Sequence, residues 1–373
     1  MLLAVFSLHA ALACGGFVPT AGALAASDAQ QALFDLGADA ITVTYRARYA
    51  GDAADFAWVL AVPGRITTVA EGDNGRLESI TTASAPQVEI DPAIDAGGPG
   101  CGCAQSNDLA GRSKGDGDFG ADTGVTVTGS GFAGDFTYTT LAASDADSLA
   151  AWLTDNGYDI AAIEPAIADY VADPLGYEWV AVQLRPEVAA TPDTGVQLDA
   201  LAITYGAAAD GELHALFPAK LGRSSTVEEV RTEIMVLGAG TATLGGGWTA
   251  EENPAETDDR PFDLVGPDYV EPTGVYTNYL RTLGGDTRTM WLAYAGGYSD
   301  GGAARWLTRF DAIVAPGTNV VDPVLTDSGV ESTAATVIYV MDETAFQASY
   351  DTGAWLVPLG LLAGVGLRRR RGV

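Results

Sequence analysis

The spacing of hydrophobic and polar positions changes several times along this chain, and the changes mark out its elements. Residues 40–49, AITVTYRARY, alternate apolar and polar side chains as a half-buried strand does. Residues 55–63, DFAWVLAVP, are almost continuously apolar and read as the neighbouring strand, with Gly51 and Asp52 supplying the turn between them. A short helical turn is predicted at 28–34 and a third strand at 77–82. From Val125 the run VTVTGSGFAGDFTYTTLAA gives two strands joined by a glycine turn. Ser144 or Asp145 then caps a helix, because a short side-chain oxygen accepts the orphan backbone amides ahead of Leu149, Trp152 and Leu153. That helix ends at Asn156 and Gly157, and a second runs over about 160–171 with Ile163, Ile167, Tyr170 and Val171 on one face. Strands return at 178–184, 198–205 and 231–237. The last region carries a helix at 276–283 and strands at 287–294, 306–313 and 336–341.

The fold class that follows is α+β: mainly antiparallel sheets, one face covered by a helical pair from about 145–172, with an apolar helix at the C-terminus. At 373 residues the chain exceeds the usual single-domain size. It divides into an N-terminal β unit at 14–90, an α+β region at 123–245 and a C-terminal region at 246–349 that completes the body. Between the first two, residues 91–122 are dense in Gly, Asp and Ser, bury too little apolar surface to offset their ordering entropy, and read as a flexible insertion.

The two ends follow a different logic. Residues 1–13, MLLAVFSLHAALA, form an apolar run closing on Ala11, Leu12 and Ala13, the small-x-small pattern of a signal-peptide cleavage site before Cys14. Residues 354–367, AWLVPLGLLAGVGL, are followed at once by Arg368, Arg369, Arg370 and Arg371. At ~1.5 Å per residue this segment spans about 21 Å, short of a hydrocarbon core of ~30 Å. It reads as a membrane anchor or a sorting signal at 354–371, with the arginines on the cytoplasmic side and the body outside.

Charge narrows the partners. With 49 acidic against 19 basic residues and a net charge of −30, the surface repels phosphate backbones, so no nucleic acid is expected. Lysine is scarce: Lys114 and Lys220 are the two in the chain.

Candidate chemistry is thin. Cys14, Cys101 and Cys103 are an odd set for an oxidising compartment, and they admit a disulfide between any two or lipidation of Cys14. Asp116, Asp118 and Asp122, in DGDFGAD, could offer alternate oxygens to Ca²⁺, but the full loop spacing and a terminal bidentate Glu are missing. Beyond residue 13 the chain has a single histidine, His214, and neither G-x-S-x-G nor H-E-x-x-H occurs, which argues against common hydrolase chemistry. Phe56, Trp58, Trp152, Tyr158, Trp179 and Trp306 fall at inward-facing positions and read as core. Gly245, Gly246 and Gly247 follow no phosphate-binding pattern.

Several segments come in the order of a known family: ACGGF at 13–17, DFAWVLAVP at 55–63, SLAAWLTDNGY at 148–158, YEWVAVQL at 177–184 and RWLTRFDA at 305–312. Together they resemble the bacterial domain-of-unknown-function family 2330, across most of 14–320. The resemblance implies an exported envelope protein and adds no chemistry. The tail is similar to the sorting tails of myxobacterial and related exported proteins, which implies a sorting protease as partner. The resulting reading is an envelope-anchored binding or structural module of unknown ligand, the competing class being an envelope enzyme working through carboxylates or the cysteine loop. A deep pocket gathering His214 or several buried acids would favour the enzyme.

Overall fold

The apolar run at 57–63 needs cover on both faces, and the computed structural model supplies it. The structure describes residues 16–17, 29–49, 56–90, 124–185, 196–224, 230–252, 288–314, 321–335 and 337–340. Within these, strand β4 (Ala57–Pro63) is buried at every position. Trp58, Leu60 and Val62 point to one side and Ala57, Val59 and Ala61 to the other, into two separate apolar clusters. The strand therefore lies in a layered body with material above and below it.

Two sheets form the centre. The smaller has the order β1 (Gly16–Phe17), β4, β9 (Tyr177–Leu184), β8 (Phe136–Ala143), β7 (Val125–Ala133), and every joint is antiparallel. The larger runs β15 (Thr249–Glu252), β16 (Thr289–Asp300), β17 (Ala303–Val314), β13 (Val230–Gly238), β2 (Ala29–Leu36), β3 (Ile41–Tyr49), β11 (Leu201–Tyr205), β5 (Ile66–Glu71). Short strands β10 (Val196–Gln197) and β19 (Ala334–Ala335) add to β3 and β16. Two joints in this sheet are parallel: β2 with β13, near its middle, and β15 with β16. Strands β12 (Ala215–Leu216), β18 (Val324–Asp327) and β14 (Ala242–Gly245) form a third sheet, and β6 (Gln87–Ile90) pairs in parallel with β20 (Val337–Val340).

The two large sheets pack face to face. Phe34, Val43, Tyr45, Ile234, Val236 and Phe310 from one meet Phe56, Trp58, Phe136, Val180 and Val182 from the other. Tyr45, Trp58, Phe56 and Tyr49 form a chain of edge-to-face aromatic contacts with centroids 5.0–6.4 Å apart. The outer face of the smaller sheet is covered by helices α2 (Ala146–Asp155) and α3 (Glu164–Ala172), through Leu149, Leu153, Ile163, Ile167 and Tyr170. Asp145 caps α2, its carboxylate accepting the Ser148 N–H at 2.8 Å. The outer face of the larger sheet carries helix α1 (Asn74–Ala83), whose Leu77 and Ile80 sit on Leu33, Met235, Leu237 and Leu307. The layers thus run helix, sheet, sheet, helix.

This corrects two expectations. Residues 77–82 are helical, because Asp73 accepts the Arg76 N–H at 2.9 Å and so starts a turn that brings Leu77 and Ile80 onto one face. Of the helical turn expected at 28–34, residues 29–34 belong instead to strand β2, since Ala32 and Phe34 enter the intersheet core while Leu33 faces α1. The predicted helical pair and antiparallel sheets are present. The helix expected at 276–283 and the apolar C-terminal helix lie outside the described residues, among which no helix is long and apolar enough to cross a membrane.

Candidate functional site

His214 lies in the wall of a cleft of about 220 Å³ between β12, β18 and the β2–β3 turn. Leu36, Ile41, Leu213 and Val324 supply its apolar wall, and His214, Thr326 and Asp327 bring polar groups, so the lining is mixed. A local turn fixes the histidine. Asp210 Oδ1 accepts the Glu212 N–H at 3.0 Å, Asp210 Oδ2 lies 2.8 Å from His214 Nε2, and the Tyr205 hydroxyl donates to the His214 carbonyl at 3.0 Å. The Glu212 amide first, and then His214, hold the exposed Asp210 carboxyl below the usual carboxylate range.

Asp327 is committed to structure. Its two oxygens accept the backbone N–H groups of Ala239, Gly240 and Gly329 at 2.6, 2.9 and 2.8 Å. The lining therefore offers an imidazole already paired to a carboxylate, a saturated second carboxylate and the exposed Thr326 hydroxyl. A nucleophile with its base and an oxyanion site is not assembled there.

Two buried polar clusters lie elsewhere. In the first, under α1, Glu233 on β13 stands opposite Asp311 on β17. Arg309, fully buried, reaches both, with Nε 2.8 Å from Asp311 Oδ1 and Nη2 3.2 Å from Glu233 Oε1. Arg231 pairs with Glu233 as well, and Gln31 links Glu233 to Arg46 through bonds of 2.7 and 2.8 Å. In the second cluster, Asp322 accepts the Tyr170 hydroxyl and the Lys220 backbone N–H, both at 2.8 Å, beside the Lys220 ammonium. Burial holds the Asp322 carboxyl above its usual range, against the opposing pull of Lys220 and Tyr170.

The structure does not gather the residues singled out from sequence. His214 reaches the cleft without any other of them. Phe56, Trp58, Tyr158 and Trp179 are core, as expected, whereas Trp152 and Trp306 are half-buried. Among the described residues the large hydrophobic side chains left exposed are Phe132 and Val330, too few for an aromatic platform. Cys14, Cys101, Cys103, the calcium candidates Asp116, Asp118 and Asp122, and Arg368, Arg369, Arg370 and Arg371 lie outside the described residues. Among those described, no group of three or more His, Cys, Asp or Glu could hold a metal ion. Sequence reading missed both buried clusters. The scarcity of lysine was the one signal pointing at Lys220.

A family model described as an uncharacterized protein conserved in bacteria (DUF2330) matches residues 8–239. The chain belongs to the DUF2330 family. The match runs from the N-terminal apolar segment to the end of β13 and so includes β2 to β5, all three described helices, His214 and Glu233. Arg309, Asp311 and Asp322 lie beyond it. No curated protein matches. Among solved structures, this DUF2330 chain is similar to the crystal structure of baculovirus P35 at 10% identity and a TM-score of 0.33, over 84% of this chain and 97% of that one. A likeness at that level carries no inference about activity.

Proposed function

We propose that this DUF2330 protein is an exported, envelope-anchored binding or structural module whose body lies outside the cytoplasm. The observation that carries the reading is the pair of apolar ends. One closes on Ala11, Leu12 and Ala13, and the other runs through 354–367 into Arg368, Arg369, Arg370 and Arg371. The strongly acidic composition suits a body that meets cations and water, not nucleic acid. A non-enzymatic role is supported by the His214 cleft, where the histidine and Asp327 are both engaged in holding turns. The membrane is the proposed partner through 354–371, with a sorting protease as the enzyme that would process this tail; Ca²⁺ at Asp116, Asp118 and Asp122 is an optional ligand.

Fractionation and protease shaving of cells that express the full chain, or a version ending at Thr352, test the placement. The full chain is expected in the membrane or cell-surface fraction and open to external protease, and the shortened one in the soluble exocytoplasmic fraction. Equal membrane retention of both would remove the tail from the reading, and protection of the full chain from protease in intact and outer-membrane-permeabilised cells would remove export.

A further inference from the structure

Lys220 and Asp322 are 102 residues apart in sequence, yet their segments are clamped together. The Phe217 N–H donates to the Pro323 carbonyl at 3.1 Å, and the Lys220 N–H donates to Asp322 Oδ1 at 2.8 Å. The Trp248 indole N–H donates to the Val321 carbonyl at 3.1 Å and holds the second segment from its other side. Within this clamp Lys220 Nζ stands 3.6 Å from Asp322 Oδ2 and 4.2 Å from the centre of the Tyr170 ring. The Tyr170 hydroxyl donates to the same Oδ2 at 2.8 Å. The side chains of Lys220 and Asp322 are 14% and 3% exposed, and Leu216, Leu221, Tyr170 and Tyr177 are part of the apolar cluster around them.

An ion pair this dry gives up most of the hydration that normally keeps an ammonium and a carboxylate apart as ions. We propose that Lys220 and Asp322 are joined by an intramolecular isopeptide bond between Nζ and Cγ, closing the body covalently between the Lys220 turn and the start of β18. The pair already holds every atom the step needs. Proton transfer from the ammonium to the carboxylate gives a neutral amine and a neutral acid. The Nζ lone pair then forms the bond to Cγ, one carbon–oxygen bond breaks, and that oxygen leaves as water with two of the three ammonium protons. No oxidant, reductant or further reactant enters.

The surroundings favour each stage. Burial already holds the Asp322 carboxyl toward its protonated form. The backbone clamp supplies the proximity on which an uncatalysed amide condensation otherwise fails. The Tyr170 hydroxyl is aimed at the oxygen that gathers negative charge when Cγ becomes tetrahedral. The choice of residue fits as well: the chain has 19 basic residues of which two are lysines, and a guanidinium at 220 could make the ion pair but not the bond.

Peptide mapping of the purified, folded full chain decides it. Because the tryptic peptide bearing Asp322 runs over 310–368 and includes the tail, a second digest after glutamate, which isolates 213–228 and 257–331, makes the readout independent of processing at either end. Trypsin is expected to leave the bond after Lys220 uncut. The peptide bearing Lys220 should be attached to the one bearing Asp322, at their summed mass less one water. Asp322→Asn should give a joined peptide of identical mass, because ammonia leaves in place of water. Lys220→Arg should give two separate peptides, and Tyr170→Phe should form the joined species about tenfold more slowly or worse. Separate peptides of full mass from folded wild-type protein, or a joined species that survives Lys220→Arg, would overturn the proposal. These readouts are independent of where the protein resides, so their failure leaves the envelope reading untouched.

Discussion

Glu233 and Asp311 face each other across β13 and β17, two acids in a buried layer, and they respond to it in opposite ways. Burial raises the Glu233 carboxyl, but Arg231, Arg309 and Gln31 outweigh it and bring the value from 4.5 down to about 2. At Asp311 burial prevails over Arg309, the charge of Glu233 adds to it, and the carboxyl is held above its usual range. The consequences for stability have opposite signs. Glu233 contributes stability that is fully present above the unfolded-state value and fades as pH falls toward about 2. Asp311 favours the fold in its protonated form, so its contribution is present below the unfolded-state value and is lost as pH rises through the raised one. Glu233→Ala should cost about 3–5 kcal/mol at neutral pH by leaving Arg309 with an unbalanced buried charge. It should also flatten the loss of stability between about pH 4.3 and pH 2. Urea unfolding at a series of pH values measures both. These residues were visible in sequence, but the alternation in RWLTRFDA at 305–312 gave no sign that its polar face is buried. Strand period places Arg305, Arg309 and Asp311 on one face; only the position of α1 decides that this face is covered.

Helix α1 is the element on which sequence reading and structure part most clearly. Thr81 and Thr82 are β-branched and favour a strand, yet Leu77 and Ile80 at i and i+3 together with the Asp73 cap favour a helix, and tertiary packing on Leu33, Met235 and Leu307 decides the contest. Leu77→Ala is expected to cost about 2–5 kcal/mol in chemical denaturation, since the side chain is buried against the sheet. The hairpin β16–β17 shows the opposite case, a signal present but not used. Gly301 and Gly302, with φ of +58° and +92°, make the two-residue turn that joins strands of 12 residues each. The Gly-Gly pair at the tip is a legible hairpin mark, and the strands extend beyond the expected 287–294 and 306–313 to meet at it. Nothing lies within 4 Å of a side chain added at Gly302, so Gly302→Val tests backbone strain alone. A loss of about 1–2 kcal/mol is expected, with Gly302→Asn closer to wild type. Equal stability of all three proteins would show that the turn tolerates a different geometry.

At the scale of the whole molecule, the apolar run of β4 was legible as a strand and the helical pair as the cover of one sheet face, whereas the second large sheet packed against it and α1 on that sheet's far side were not. Trp58, Leu60 and Val62 meet the larger sheet while Ala57, Val59 and Ala61 meet the helices, so the bulkiest side chains, Trp58 and Leu60, lie between the sheets. Trp58→Ala should cost about 3–5 kcal/mol. Because the strand joins both cores, near-UV circular dichroism and far-UV signals are expected to be lost together; a tertiary signal that melts well before the secondary one would contradict such coupling. The order of the strands was not legible, since periodicity reports which face is buried and is silent on which neighbour a strand chooses. The parallel joint of β2 and β13 is the case in point, and its cost falls on folding kinetics. In a chain made from its N-terminus, β2 and β3 can close on each other early, but Asp35 has to wait for Leu237 before the other edge of β2 is paired. Until then that edge is an open template for a wrong partner, including a second nascent copy, and folding yield should depend on how well it is shielded during synthesis.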